Sequence, residues 1–444
     1  MSVNITGLVS QERSSGFLTM PRAAQYNPPI GDNKKCAQAV ADTSLEKEEP
    51  MPDYPKVLYK EEGMREGMQI EDANISVDDK VELLDALSET GLKQIVIGSF
   101  VSPKWTPQME RIDEIVSRFN PNPDVTYTAL ALNSRGVERA RAYSPPLTIE
   151  RDKYPRLSCH MCDVFVRRNT NRTQMQEMER WPQIIAQAQE LNITEAGIGC
   201  NASWGPNFLG EFPVDSLMTL LEKEHSMWDE VGIQVRSVSM GDPMSHCTPA
   251  KVEESVARVK ERWPEINHFR LHLHNGRNMA IASAYAAVRT LTSEDTLELD
   301  GTIGGFGGCP YCGNGRSTGM APSEDILHMF EDMGVDTGVD IDKLIECVWM
   351  AERIIGRELY GHVSKAGPRP KTVDKLYDLN MPFVETPEQA RHFALGPEAY
   401  EGALSPYSEP ITSPYRDRVE QGLPAYDSAT GDFPWKQDWF PAKD

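Results

Sequence analysis

From Pro55 onward the chain alternates short apolar runs with stretches of helical periodicity, and no other feature limits its fold so closely. Eight runs read as strands: residues 57–59, 94–99, 125–130, 156–162, 193–200, 233–240, 267–274 and 297–303. Helical patterns fall between them at 77–89, 108–119, 174–190, 214–230, 249–262 and 279–291. Strands joined by helix-length crossovers pair in parallel, and eight such units imply an α/β TIM (β/α)8 barrel. A doubly wound open sheet built from the same elements is the competing architecture.

The flanks have a different texture. Residues 1–52 mix Ser, Asn, Pro, Lys and Glu without periodicity and are expected to form an N-terminal arm. Residues 53–365 would be the catalytic barrel with two further helices at 323–333 and 340–355. Residues 366–444, rich in Pro, Tyr, Trp and acids, are expected to be an irregular C-terminal extension packed on the barrel or on a partner subunit. Arms of this kind often cross between subunits, so a homo-oligomer is expected.

A formal net charge of −22 argues against nucleic acid and anionic membranes as partners, because both want clustered Lys and Arg. Any anionic substrate must then meet a local basic pocket. No apolar run reaches the length of a membrane span, and the start of the chain lacks a charged-then-apolar leader, so neither membrane anchoring nor secretion is indicated. Eight cysteines spread over 444 residues fit a reducing, cytoplasmic setting better than a disulfide framework.

In a TIM barrel the active site lies at the C-terminal ends of the strands, and polar residues gather there in this sequence. His272 and His274, at i and i+2 on the seventh strand, face one side because side chains alternate with period two. Arg65 and Glu66 follow the first strand within Met64-Arg65-Glu66-Gly67-Met68-Gln69, Asp242 follows the sixth, and Cys309 follows the eighth. Two neutral imidazoles with one or two oxygen ligands suit a divalent cation left partly open as a Lewis acid. Glu66 is the natural carboxylate ligand. Arg65, a rigid fork of donors, could hold an enolate oxygen that develops as a carbon–carbon bond breaks, or else form a salt bridge in the barrel mouth. Cys309, on a glycine-rich loop, could close on the site and deliver a thiol as acid or base.

Two other readings attach to Cys309-Pro310-Tyr311-Cys312. As a dithiol redox motif it should open a helix near a chain start, whereas here it lies among glycines late in a barrel. As half of a four-thiolate zinc site it would need Cys159 and Cys162, which the fourth strand, at 156–162, should point to opposite faces. A disulfide between Cys309 and Cys312 is an open alternative. Arg270, two residues before His272, should face the barrel interior, paired with Glu298 or Asp300 or bound to a substrate carboxylate.

At these residues the chain resembles the 3-hydroxy-3-methylglutaryl-CoA lyase family, within the metal-dependent barrels that include isopropylmalate and citramalate synthases. The most specific segments are Ser99-Phe100-Val101-Ser102-Pro103-Lys104-Trp105, the Gly307-Gly308-Cys309-Pro310-Tyr311 loop and His272-Leu273-His274, within a likeness spanning about residues 55–370. The resemblance implies metal ligation by Glu66, His272 and His274, enolate stabilisation by Arg65, a polar role for Asp242 near the substrate hydroxyl, Cys309 as the loop acid and Gln69 among the substrate contacts. Magnesium or manganese would be the ion, with zinc or cobalt as alternatives, and a small carboxylate or acyl-CoA the substrate. The cysteine loop favours cleavage over condensation by a 2-oxo-acid acyltransferase.

Departures from the family pattern point to a substrate other than its namesake. Glu66 stands for an Asp, Val96 for a Glu, and Asp72 for a Lys common in CoA-binding members. Met320 falls where an Asn ligand is expected, so Asn314 would take that place. These losses also leave a non-catalytic, degenerate barrel as an alternative.

Overall fold

The computed structural model describes residues 53–104, 106–131, 134–149, 153–313, 319–380 and 411–425. Its strands are β1 (Lys56–Glu61), β2 (Gln94–Ser99), β3 (Thr126–Leu130), β4 (Arg156–His160), β5 (Glu195–Asn201), β6 (Gln234–Asp242), β7 (His268–Leu273) and β8 (Thr296–Gly301). All pair in parallel, in the order β3-β2-β1-β8-β7-β6-β5-β4. The first strand therefore hydrogen-bonds the eighth along its whole length, from Lys56 against Thr296 to Glu61 against Gly301. That pairing is how a rolled sheet joins its ends, and it decides for the TIM barrel over the doubly wound sheet.

Helices α1 (Val77–Ser88), α2 (Ile112–Arg118), α3 (Ser134–Arg141), α4 (Asp163–Thr170), α5 (Gln174–Met178), α6 (Trp181–Glu190), α7 (Val214–Asp229), α8 (Pro249–Arg262) and α9 (Ala280–Thr290) run between the strands. Strands covered on both faces read as continuous apolar runs, and in β2 Ile95, Val96 and Ile97 are all buried. Local chemistry sets the helix starts. Ser76 Oγ accepts the Asp79 N–H at 3.0 Å to begin α1, and Thr248 caps α8 with Pro249 at its first position.

Two expectations need correcting. The pattern at 174–190 is two helices, because Pro182 lacks an N–H for a continuous ladder and fits the first turn of a new helix. The fourth strand ends at His160 rather than at Cys162. Cys162 instead caps α4, its sulfur accepting the Phe165 N–H at 3.2 Å. It lies in one buried cluster with Cys309 and Cys312, while Cys159 belongs to the main core.

After β8 come α10 (Ser323–Asp332), α11 (Ile341–Ile355) and the short α12 (Val363–Ala366). Helix α11 returns to the outside of the first unit, where the Asp340 N–H reaches Thr90 O at 2.7 Å and Arg353 meets Glu82 at 3.0 Å. Among the described residues no helix is long and apolar enough to cross a membrane.

The barrel interior carries a charged layer. Glu298 on β8 receives Lys60 at 2.9 Å, Arg270 at 3.0 Å and His268 at 3.1 Å. Burial works against this carboxylate, yet His268, Lys60 and Arg270 together hold its pKa far below the usual range. Arg270 is thus the partner of Glu298. One layer nearer the C-terminal rim stand His272 and Asp300.

Candidate active site

Strand β1 ends at Glu61, and after Glu62 the backbone winds through one wide, π-type turn over Gly63–Gly67. Glu61 is fully buried and ties this turn to the far end of the barrel. Its Oε1 accepts the Gly63 N–H at 2.7 Å and the Ile303 N–H at 3.0 Å, and its other oxygen accepts from the Ser323 hydroxyl. Burial nevertheless outweighs these donors and pushes its pKa up to about 7.

Arg65 projects from the turn between two carboxylates. Its Nε forms an ion pair with Glu62 Oε2 at 2.8 Å and its Nη1 pairs with Glu66. Burial opposes this charge, but Glu62, Glu66 and Asp300 keep the guanidinium firmly protonated. Gln69 sits half-buried on the next turn, Met68–Ile70.

His272 and His274 come from the end of β7. Their Nε2 atoms converge to 3.1 Å, and His272 Nδ1 is held by Asp300 Oδ1 at 2.7 Å. Burial would depress the His272 imidazole, but contact with Asp300 and the charge of Glu66 overcome it and raise its pKa to about 9. Asp300 fixes the ring so that Nε2 faces the mouth, as second-shell carboxylates do for histidine ligands. Sequence reading named Asp300 only as a possible partner of Arg270. The signal for its actual role is parity: Asp300 shares the inward face of β8 with Glu298, on the strand beside His272.

Cys309 follows β8 on a loop that lies directly against the arginine turn. Gly307 has φ +108°, and a Cβ there would sit 2.8 Å from Glu66 O; a Cβ on Gly67 would sit 2.6 Å from the Phe306 ring. Only glycines permit backbones this close. Cys309 is 8% exposed and feels the charges of both Glu66 and His272.

Asp242, the last residue of β6, is in the same rim but spent on the backbone. Its Oδ1 accepts the His246 N–H at 2.9 Å and its Oδ2 the Cys247 N–H at 2.7 Å. Asn314 lies outside the described residues. The structure thus brings Arg65, Glu66, His272, His274 and Cys309 to one place, sets Asp242 to shaping a loop, and leaves Arg270 a layer below.

Two imidazole nitrogens facing each other at 3.1 Å leave room for a proton or a divalent cation between them. Glu66 stands beside them but is turned to Arg65. Among the described residues no three His, Cys, Asp or Glu side chains are grouped as a ligand set. The nitrogen donors fit, and Glu66 must exchange Arg65 for the ion to complete them.

Residues 56–350 match the model of the HMGL-like family. The chain belongs to that family. The hydroxymethylglutaryl-CoA lyase YngG of Bacillus subtilis is 31% identical over 70% of this chain and 96% of its own length. The (R)-citramalyl-CoA lyase of Chloroflexus aurantiacus is 30% identical over 68% of this chain and 92% of its own. The crystal structure of the Bacillus subtilis HMG-CoA lyase superposes with a TM-score of 0.57, covering 71% of this chain and 99% of that one at 29% identity. This HMGL-like chain is accordingly a lyase, and the resemblance read from its motifs is the family it belongs to.

Proposed function

We propose that the chain is a divalent-metal-dependent lyase that breaks a carbon–carbon bond in a 3-hydroxy acid or its acyl-CoA thioester. The observation that carries this reading is the meeting of the His272 and His274 Nε2 atoms beside the Arg65–Glu66 turn and the Cys309 loop. His272, His274 and Glu66 would hold the ion, which would supply Lewis acidity toward substrate oxygens.

Cleavage removes the 3-hydroxyl proton, breaks the adjacent carbon–carbon bond and leaves an enolate to be reprotonated. Arg65, held charged between carboxylates, stabilises the enolate oxygen. Cys309 returns a proton to carbon from the loop above. Gln69 contacts substrate from the next turn, and a base near Asp242 takes the 3-hydroxyl proton, Asp242 also fixing residues 246 and 247. Names of the relatives make a CoA thioester the first substrate class to try. Seven described cysteines are free thiols, which agrees with a reducing, cytoplasmic setting. The reading includes a homo-oligomer, which sizing in solution checks.

The test combines elemental analysis with an assay. Purified protein should hold a divalent ion in stoichiometric amount, and a His272→Ala/His274→Ala variant should lose it. With magnesium or manganese the protein should cleave hydroxymethylglutaryl-CoA, citramalyl-CoA or a related 3-hydroxyacyl thioester. Absence of bound metal after loading with magnesium, manganese, cobalt and zinc would sink the mechanism.

A further inference from the structure

The lyase reading uses Cys309 and leaves Cys312 without a task. Yet Cys312 is placed with care. Residues Pro310–Cys312 form a single 3₁₀ turn with Cys309 at its head, closed by the Cys312 N–H to Cys309 O at 3.3 Å. In a 3₁₀ turn residues i and i+3 eclipse, which sets the two cysteine side chains on one side of the turn, where each feels the other. Cys312 Sγ is also 3.1 Å from Pro243 O, which ties the pair to the loop after β6. Arg168 pins the middle of the turn through Tyr311 O at 2.6 Å.

The surroundings set this pair apart from the other thiols. Cys309 is 8% exposed and Cys312 1%, packed with Cys162, Phe165, Ala202 and Met244. Cys162 is occupied as a helix cap. Burial pushes Cys159, Cys162, Cys200, Cys247 and Cys347 up, and contact with Cys309 and burial push Cys312 up as well, whereas contact with Cys312 pulls Cys309 alone down. Gly307 and Gly308 before the turn and Gly313 after it all have positive φ, which lets the chain fold this tightly on either side of the pair.

We propose that Cys309 and Cys312 are a dithiol that a small peroxide converts to an intrachain disulfide, removing the Cys309 thiol from the site. The Cys309 thiolate attacks one peroxide oxygen, the O–O bond breaks, and hydroxide leaves to be protonated by solvent. Cys312 sulfur then attacks the Cys309 sulfenic acid, the S–O bond breaks, and water departs with the Cys312 proton. Two thiols and one hydrogen peroxide become one disulfide and two waters. Hydrogen peroxide suits the pair because it is small and uncharged, and both thiols are buried. The covalent step stands on the loop geometry; only its effect on turnover rests on the lyase reading.

Reduced full-length protein would be treated with stoichiometric hydrogen peroxide, alkylated and mapped by mass spectrometry. The expected result is one Cys309–Cys312 disulfide, a loss of two thiols from the eight in the chain, and full reversal by dithiothreitol. In Cys312→Ala, checked for folding by circular dichroism, Cys309 should instead accumulate as a sulfenic acid trapped by dimedone. Where a lyase substrate is in hand, peroxide should abolish turnover in both proteins, reversibly by dithiothreitol, and added dimedone should make the loss permanent in Cys312→Ala while leaving the parent protein recoverable. A protein without lyase activity should still form the disulfide, so the two readings fail separately. Cys309 and Cys312 staying reduced at a dose that oxidises other cysteines, or Cys309 bonded to Cys162, would overturn the proposal.

Discussion

His272 and His274 turn their Nε2 atoms to within 3.1 Å of each other at the end of one strand. Two rings brought that close must either share a proton or share a cation. Asp300, on the neighbouring strand, decides which ring is anchored by holding His272 Nδ1 at 2.7 Å.

Replacing Asp300→Asn should therefore weaken metal binding without emptying the site. The amide oxygen can still accept from Nδ1, but the negative charge that raises the basicity of His272 is lost. A drop of roughly 10- to 100-fold in affinity is expected for a lost second-shell carboxylate, read by titration calorimetry with manganese. Unchanged affinity would mean that the anchor is structural alone.

Arg65→Lys keeps the charge and removes the fork. Lysine cannot reach Glu62 and Glu66 while also presenting a second donor to an enolate, so kcat should fall by about 10²- to 10³-fold, the effect of losing one oxyanion donor. KM should move much less. A variant with full kcat would make Arg65 only a brace in the barrel mouth.

Asp242→Ala should be a stability variant. Removing the carboxylate strands two buried backbone donors, on His246 and Cys247, and charge-assisted bonds of this kind make the loss about 2–4 kcal/mol. Chemical denaturation measures it. Stability unchanged with turnover abolished would return the carboxylate to the chemistry.

Glu324 gives a pH dependence. Burial pushes its pKa up to about 8, with the Gly304 N–H at 2.8 Å opposing only in part. The folded chain therefore favours the neutral acid. This group carries no penalty below about pH 4.5, its ordinary value, and stability drains away as pH rises toward 8. Glu324→Gln should flatten the fall in unfolding free energy between pH 6 and pH 8.5 by an amount on the order of 1–3 kcal/mol, with a matching flattening of the melting temperature. Parallel melting curves for parent and variant would speak against it.

The architecture was legible because its signal is long: eight apolar runs at barrel spacing, with β2 and α8 matching their expected bounds. Site residues at strand ends followed from the same periodicity. What stayed hidden depends on three dimensions. Cys162 reads as the end of a strand run, yet its sulfur caps a helix. Asp242 reads as a polar group near the substrate hydroxyl, and only the turn of residues 246 and 247 shows that each of its oxygens also accepts a backbone N–H. The helix Ser134–Arg141 has too few apolar residues to announce itself. Asp300 emerges only once β7 and β8 are known to be neighbours.

Glu61 accepts from Ile303, 242 residues further along the chain, and from Ser323 beyond that. During synthesis the strand carrying Arg65 and Glu66 leaves the ribosome first, with its buried acid unmatched until nearly all of the barrel has followed. No early fragment can bring Arg65 and Glu66 together with His272 and His274, so the assembled centre is withheld until the ring has closed.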